Sequence, residues 1–169
     1  MIFVTLGSQK NPFNRLLRAL DEQIASGQIE EEVFAQTGYS DYEPVNYGFR
    51  QFLDHDEYEK YQDQADIVIA HGGTGAIMGA LKKGKKVIAV PRKYELGEHN
   101  DDHQIQMVSE LAQEGLITAC LDTDELGMLI KKVRVNPAAE LDKAYHSNTA
   151  GYLSDIEKFI DGINEVNNV

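Results

Sequence analysis

The sequence predicts an α/β protein with a doubly wound parallel β-sheet, and three observations support this. Short apolar runs alternate along the chain with helical stretches of about 10–15 residues, which is typical of βαβ units. The run at residues 65–70 is β-branched and apolar on both faces, as in a strand that helices cover on both sides. Glycine-containing turns follow two of the runs, at Gly7-Ser8 and at residues 72–75.

The first half of the chain holds three predicted strands, at residues 1–6, 33–36 and 45–53. Helical spacing begins after Pro12, and Gly27 ends this predicted helix. Its apolar face consists of Phe13, Leu16, Leu17, Leu20 and Ile24. Residues 54–64 are a polar helical stretch with an acidic beginning, which is typical of a solvated helix start.

The second half repeats the alternation. A turn and a helix at residues 72–83 follow the strand at 65–70, and the next buried strand, 86–90, stops at Pro91. An amphipathic helix with Ile105, Val108, Leu111 and Ala112 on one face ends at Gly115. A last strand at 116–121, helices at 124–133 and 147–162, and a fraying end at 164–169 complete the prediction.

Composition narrows the class of protein. The chain has 169 residues and a formal net charge of −12, which predicts one acidic domain spanning residues 1–169. The acidic balance disfavours nucleic acids and anionic membranes as direct partners. The single Cys120 excludes an intramolecular disulfide, and the sequence shows neither a signal peptide nor a transmembrane segment. We therefore expect a cytoplasmic protein.

The turn His71-Gly72-Gly73-Thr74-Gly75 is the strongest candidate for a ligand site. Glycines let backbone amides approach a ligand closely, and a helix N-terminus favours an anion, so a phosphate is the expected guest. The alternative is that these glycines only make a tight turn. Met78 stands where the dinucleotide fingerprint has its third glycine, and no Gly-Lys-Ser/Thr occurs, so neither NAD nor ATP is indicated.

A second polar cluster covers residues 91–104. Arg92 suits a phosphate, and Asn100, Asp102, His103 and Gln104 suit sugar hydroxyls. The alternative is a solvated loop in which Asp101 or Asp102 caps a helix. His99, His103 and Asp102 have the spacing of a metal site, but the Glu of His-Glu-x-x-His is replaced by Asn100, and we expect no metal.

Tyr39, Tyr42 and Tyr47 would stack on a base or contact another subunit. Cys120 lies inside a predicted strand, which argues against nucleophilic catalysis.

These residues resemble a known family. The chain is similar over nearly its whole length to the family 28 C-terminal domain, the donor-binding, Rossmann-like half of a GT-B glycosyltransferase. Three stretches carry the resemblance, namely residues 3–8 (Phe-Val-Thr-Leu-Gly-Ser), 71–75 and 97–104 (Gly-Glu-His-Asn-Asp-Asp-His-Gln). Within the family it is most similar to the small Alg13-like subunits of two-component transferases, and the third stretch favours the bacterial capsule and exopolysaccharide galactosyltransferase subunits.

The resemblance implies roles for individual residues. The diphosphate of a UDP-sugar would lie against Gly7, Ser8 and the turn formed by His71, Gly72, Gly73, Thr74 and Gly75. The Phe52-Leu53 loop would hold uracil through backbone groups, and His103 and Gln104 would contact the donor sugar. The family's ribose-binding Glu would fall at position 79, where this chain has Gly79, so Glu98 or another carboxylate would replace it. Arg92, His99 and Asp102 complete the expected donor-binding set.

The resemblance also implies a split enzyme. A complete GT-B enzyme has two domains, so an Alg14-like, membrane-associated subunit would supply the acceptor site, the lipid-linked sugar acceptor and the catalytic base. That subunit would recruit this chain to the inner face of the membrane. The expected reaction is an inverting displacement on a UDP-hexose, with galactose favoured and no cofactor or metal. Two alternatives stay open: a UDP-sugar epimerase of similar build, and a non-catalytic enhancer subunit.

Overall fold

The computed structural model describes residues 1–135, and their six parallel strands form one sheet. The strands are β1 (Ile2–Thr5), β2 (Val33–Gln36), β3 (Gly48–Arg50), β4 (Ile67–His71), β5 (Lys86–Val90) and β6 (Thr118–Ala119). Their spatial order is β3-β2-β1-β4-β5-β6. The chain therefore changes direction across the sheet between β1 and β4, which lie side by side with Ile2 opposite Ile67 and Thr5 opposite Ala70. The predicted doubly wound parallel sheet is confirmed.

Five α-helices connect and cover the strands. They are α1 (Asn14–Ala25), α2 (His55–Gln64), α3 (Thr74–Lys82), α4 (His103–Gln113) and α5 (Leu126–Val135). Short 3₁₀ turns at Tyr94–Leu96 and Thr123–Glu125 precede α4 and α5. The carboxylate of Asp54 caps α2 by accepting a hydrogen bond from the amide of Glu57 at 2.8 Å, which explains the acidic start of that stretch.

Two apolar cores lie on opposite faces of the sheet. Alternate residues of β1 supply them, since Ile2 and Val4 face one core and Phe3 faces the other. The first core also contains α1 and α5, and the second contains α3 and α4 with tyrosines of α2 packed against it. Each fully buried Leu, Ile or Phe stabilises the fold by roughly 1.5–3 kcal/mol, so the β-branched strands are anchored from both sides.

The sheet edges differ most from the sequence prediction. Of the strand predicted at 45–53, only Gly48–Arg50 pairs, and all three residues are exposed. The preceding residues turn away because the amides of Val45 and Asn46 donate to the carboxylate of Asp21 in α1. Of the strand predicted at 116–121, only Thr118–Ala119 pairs.

The other described elements fall within a few residues of their predicted bounds. The strand predicted at 86–90 is found there unchanged. The predicted helix at 147–162 and the predicted fraying end at 164–169 lie outside the described residues. Among residues 1–135, no helix combines the length and the apolar character needed to cross a lipid bilayer.

Candidate functional site

A cleft of about 340 Å³ opens at the carboxyl ends of β1 and β4. This is the switch point of the strand order, where open α/β sheets bind their ligands. Residues from three strands, two helices and the turns between them line it, namely Thr5, Gly7, Ser8, Gln9, Gln36, Tyr58, His71, Gly73, Gly75 and Ala76. Five of the predicted site residues meet here: Gly7, Ser8, His71, Gly73 and Gly75.

The first wall of the cleft is the turn after β1. Gly7 has φ +70, and a Cβ at this position would lie 2.5 Å from Cε1 of the His71 ring. Only glycine meets both conditions, because the left-handed conformation and the close ring each exclude a side chain. The turn thus brings Gly7 and Ser8 to the cleft with no side chain between Gly7 and the His71 ring.

The second wall is the turn after β4, which leads directly into α3. The amide of Gly73 donates to the carbonyl of His71 at 2.7 Å, and Gly73 is the N-cap of the helix with no side-chain cap bond. The first-turn amides of a helix have no intrahelical acceptors, and they carry the positive end of the helix dipole. The hydroxyl of Thr74 donates away from the cleft to Sδ of Met107 at 3.0 Å. The start of α3 therefore lines the cleft with Gly73, Gly75 and Ala76, and the Thr74 hydroxyl is not part of that lining.

His71 lies between the two walls. Its Nδ1 is 3.2 Å from the carbonyl oxygen of Thr5, and a Cβ on Gly73 would lie 2.2 Å from its Nε2. The pKa of His71 is lowered to about 4, chiefly by burial; the Thr5 carbonyl opposes this shift, and the nearby Arg92 and His99 contribute smaller decreases. The imidazole is therefore neutral at pH 7.

Arg92 is buried and does not line the cleft. Its side chain is 1% exposed, and its guanidinium donates to the carbonyls of Leu6, Asn11 and Glu98 at 3.0, 2.7 and 3.2 Å. Burial lowers its pKa to about 10, so it stays charged at pH 7. The expected direct contact with a phosphate is corrected: Arg92 ties the end of β1 and the loop before α1 to the loop after β5.

The carboxylate of Glu98 is also hydrogen-bonded to other residues of the protein. Its two carboxylate oxygens accept from Nε and one terminal nitrogen of Arg15, both at 2.9 Å, and one of them also accepts from the amide of Lys93. The pair is largely buried, with side-chain exposures of 20% for Arg15 and 7% for Glu98. The expectation that Glu98 replaces the ribose-binding carboxylate does not fit this geometry.

Position 79 itself leaves room for a side chain. A Cβ on Gly79 would meet only Nε2 of Gln62, at 3.6 Å, which is an ordinary contact. That nitrogen is buried and has no hydrogen-bond partner among the described residues. A carboxylate introduced at position 79 would therefore meet an available donor.

The start of α4 holds the remaining predicted residues, and the structure separates them. Gln104 is buried, and its Oε1 accepts a hydrogen bond from the amide of Arg92 at 3.1 Å. Its side chain also packs against Gly72, which is not one of the residues that line the cleft. His103 is exposed, and its amide donates to Asp101, whereas Asp102 accepts from the amide of Tyr94. Asp102 is the N-cap residue of α4 but makes no side-chain cap bond, and the carboxylate of the preceding Asp101 accepts from the first helical amide instead.

His99 and Leu53 do not line the cleft, but each contacts a residue that does. Nε2 of His99 lies 3.3 Å from Nε2 of Gln9, and its Nδ1 lies 3.1 Å from Asp101. The amide of Leu53 donates to Oε1 of Gln36 at 3.1 Å, so that amide is already bonded. Within residues 1–135, no group of three or more His, Cys, Asp or Glu is placed to hold a metal ion.

Sequence reasoning missed several residues of the cleft, chiefly Gln9, Gln36 and Tyr58. Gln36 ends β2, and the hydroxyl of Tyr58 lies 3.4 Å from that of Thr5, with the tyrosine pKa raised by burial. A signal existed only for Gln36, because it is a polar residue at the carboxyl end of a buried strand. Tyr58 could not be found from its sequence neighbours, since α2 is a polar surface helix.

The fold and the cleft define a class of protein, an α/β domain with a cleft at the switch point of its parallel sheet. Comparisons with known proteins identify the family, since the glycosyltransferase family 28 C-terminal domain matches residues 1–160. The chain belongs to this family, and the predicted glycosyltransferase domain is confirmed.

Two curated relatives are both described as UDP-N-acetylglucosamine transferase subunit ALG13. The protein of Yarrowia lipolytica is 33% identical over 39% of this chain and 32% of its own length. The protein of Kluyveromyces lactis is 28% identical over 60% of this chain and 50% of its own length. The chain thus spans about a third to a half of the length of the curated relatives it matches.

Solved structures support the fold. The glycotransferase of kitacinnamycin superposes with a TM-score of 0.63 at 17% sequence identity, and the match covers 85% of this chain and 37% of that one. A match to little more than a third of a larger glycosyltransferase is what one half of a GT-B fold predicts, and that prediction is confirmed.

Proposed function

We propose that this chain is the donor-binding subunit of a two-component glycosyltransferase and that it binds the diphosphate of a UDP-sugar in the cleft between β1 and β4. The observation that carries the proposal is the joint presence of two glycine turns and the N-terminus of α3 at the switch point. Backbone amides there recognise phosphate oxygens without a basic side chain. The amides suit an acidic protein, whose net charge of −12 would otherwise repel a diphosphate.

The identity of the sugar rests on two lines of support that differ. The two curated relatives are named for UDP-N-acetylglucosamine, whereas the tract at residues 97–104 favours the galactosyltransferase branch of the family. Both donors share the UDP group that the cleft would hold. We propose that the donor is a UDP-hexose. The binding experiment decides between galactose and N-acetylglucosamine.

The proposed reaction is an inverting displacement in which UDP leaves as an acceptor hydroxyl attacks the anomeric carbon. Negative charge develops on the diphosphate during this step, and the first-turn amides of α3 would stabilise it. In this proposal Arg92 does not contact the diphosphate directly, because its side chain is buried and both terminal nitrogens of its guanidinium donate to backbone carbonyls. The base that deprotonates the acceptor would come from the second subunit.

The second subunit in this proposal is an Alg14-like, membrane-associated protein that presents a lipid-linked sugar. The support is the family, whose complete enzymes have two domains, and the relatives, which are named as subunits. The acidic surface of this chain makes a protein partner a better route to a membrane than anionic lipid headgroups.

Calorimetric titration of the chain with UDP, UDP-galactose and UDP-N-acetylglucosamine tests the proposal. We expect all three to bind, and the sugar with the higher affinity identifies the donor. The absence of binding by any of them at millimolar concentration would overturn the proposal. Full transferase activity of the chain alone would overturn its split-site component.

A glycine-to-alanine pair locates the site. Gly73→Ala brings a Cβ within 2.2 Å of the His71 ring and is expected to abolish UDP binding. Gly84→Ala adds the same methyl beyond the other end of α3, where φ is +67 and no atom lies within 4 Å. The control variant is expected to lose about 1 kcal/mol of stability and to keep its affinity. Equal affinity in both variants would place the diphosphate elsewhere.

A further inference from the structure

Gln36 is a polar residue in the wall of the cleft, at the carboxyl end of β2. It is 8% exposed, and it lies opposite Thr5 in the pairing of β1 with β2. Phe34, two residues earlier, packs against the core that contains α3 and α4, and strand alternation places Gln36 on the same face of the sheet. Its side chain therefore lies on the side that carries α2, where Tyr58 also lines the cleft.

One hydrogen bond determines the orientation of the Gln36 carboxamide. The backbone amide of Leu53 donates to Oε1 of Gln36 at 3.1 Å. A backbone amide donates and cannot accept, so the atom that faces it is the oxygen, and Nε2 is at the other end of the carboxamide. The bond to Leu53 thus leaves both N–H groups of Nε2 for other partners.

Nε2 of Gln36 has no hydrogen-bond partner among residues 1–135. It also differs from Nε2 of Gln62 and Nε of Arg92, which are buried away from solvent in that part of the chain and have no partner there. The amino group of Gln36 is therefore reachable from the cleft that this residue lines. A reachable donor that the protein leaves unpaired can bond an acceptor atom of a ligand.

The strand order places Gln36 at one end of the proposed ligand. The diphosphate would lie between β1 and β4, the sugar would lie toward β5 and the start of α4, and β2 lies on the opposite side of β1. Neighbouring strands are about 4.8 Å apart, so β2 is about 10 Å from β4. A UDP-sugar that lies along this edge with its sugar toward β5 has its uridine over β2.

The hydrogen bond to Leu53 also changes which group can recognise the base. The expectation from the sequence is that backbone groups of the Phe52-Leu53 loop hold uracil, but the Leu53 amide already donates to Gln36. The donor that remains beside this loop is Nε2 of Gln36. Uracil has two carbonyl oxygens, and each of them accepts hydrogen bonds.

We propose that Gln36 is a nucleotide-recognition residue whose Nε2 donates to a carbonyl oxygen of the uracil ring. This inference rests on the proposed function. Oε1 of the same carboxamide accepts from Leu53, so one side chain both positions the Phe52-Leu53 loop and binds the base. The interaction is a hydrogen bond only, and no covalent bond forms or breaks.

Gln36→Glu tests the proposal because it changes only one end of the side chain. The carboxylate still accepts from the Leu53 amide, but an oxygen replaces Nε2 and has no proton to donate to uracil. The variant is titrated with UDP and with inorganic pyrophosphate at about pH 8, where a carboxyl group with an ordinary pKa of about 4.3 is ionised. We expect UDP affinity to fall about tenfold or more and pyrophosphate affinity to change by less than about threefold.

The two ligands separate the base from the phosphates, because general repulsion by the new charge weakens both alike. Gln51→Glu is the matched control, since it adds the same charge at an exposed residue two positions before Leu53. This control is expected to keep both affinities within about twofold. Unchanged UDP affinity in Gln36→Glu, or an equal loss for UDP and pyrophosphate, would overturn the inference and leave the proposed function intact. Failure of the original protein to bind UDP would instead remove the proposed function.

A spectroscopic measurement on the unaltered protein covers the case in which Gln36→Glu does not fold. The side-chain amide protons of Gln36 give their own pair of signals in a ¹⁵N–¹H spectrum. We expect UDP to shift this pair and to slow the exchange of one of its protons with solvent, and we expect pyrophosphate to do neither. A pair of signals that UDP leaves unchanged would contradict the proposal.

Discussion

Two loop systems at the carboxyl edge of the sheet carry the polar motifs of this chain, and they use them in different ways. The turns at Gly7 and Gly73 present backbone to an open cleft. The loop from Arg92 to Gln104 directs its buried polar side chains into hydrogen bonds within the protein, as the partners of Arg92, Glu98 and Gln104 show. The loop system with fewer polar side chains is thus the one that lines the cleft of the proposed ligand site.

The contrast shows that polar density alone does not distinguish a ligand site from an internal network. The end of β1 and the loop before α1 leave backbone carbonyls at this edge, and Arg92 donates to those of Leu6, Asn11 and Pro12. Buried carbonyls without donors are costly, so a long cation among them stabilises the fold before it can serve a ligand. The following predictions test this division, in order of expected effect.

Arg92→Ala is expected to lower the free energy of unfolding by about 3–5 kcal/mol, because it leaves buried acceptors unpaired and Glu98 with fewer partners. Urea denaturation measures the loss. Arg18→Ala, which removes an exposed arginine over the ring of Tyr42, serves as the control and is expected to cost no more than about 1 kcal/mol. An Arg92→Ala variant of normal stability that fails to bind UDP would instead place Arg92 on the ligand.

Stability without ligand is expected to fall as the pH drops below the ordinary pKa of histidine. The pKa of His71 is lowered to about 4 in the folded state, so between pH 6.5 and 4 the unfolded chain binds the extra proton. Across that window the free energy of unfolding falls by about 3 kcal/mol. Denaturation curves at several pH values measure it, and His71→Gln is expected to remove this component. An unchanged slope in that variant would exclude His71 as its source.

Glu98→Gln is expected to destabilise the fold by about 1–3 kcal/mol, because the amide cannot match the paired bonds of the carboxylate to Arg15. Glu95→Gln, on the exposed 3₁₀ turn nearby, is the matched control and is expected to stay within about 0.5 kcal/mol. Thermal denaturation and UDP titration are run together on both variants. A loss of UDP affinity with full stability in Glu98→Gln would restore the ribose role that the structure argues against.

Gln104→Ala and His103→Ala change two neighbouring residues of α4, of which Gln104 is expected to stabilise the fold and His103 to contact the donor sugar. Gln104→Ala is expected to cost about 1 kcal/mol or more, because the buried amide of Arg92 loses its acceptor. His103→Ala is expected to change stability by less than about 0.5 kcal/mol, since the side chain is exposed. With the partner subunit present, we expect His103→Ala to lower transfer while UDP still binds. Parallel loss of UDP affinity would mean that the sugar does not lie at His103.

Much of the fold could be predicted from the sequence because its signals are local. The buried strand β5 and the helix α1 follow from apolar runs and 3.6-residue spacing, which neighbours along the chain specify. The edge strand β3 was predicted too long, since the hydrogen bonds from Val45 and Asn46 to Asp21 join residues more than twenty positions apart. The pattern of neighbouring residues does not predict such a contact.

The candidate site likewise contains residues that the local sequence predicts and residues whose role depends on distant contacts. The glycine turns after β1 and β4 were recognisable because backbone conformation and helix termini leave a mark in the sequence, and the strand order then brought Gly7 and Gly73 to one cleft. Whether a polar side chain faces that cleft or the interior depends on which carbonyls lie within reach. For Arg92 and Glu98, those partners come from α1 and the loop before it, far away in the sequence. The sequence therefore determined the fold class, the family and the amide-lined turns, whereas only the packing of distant segments decided which charges remain available to a ligand.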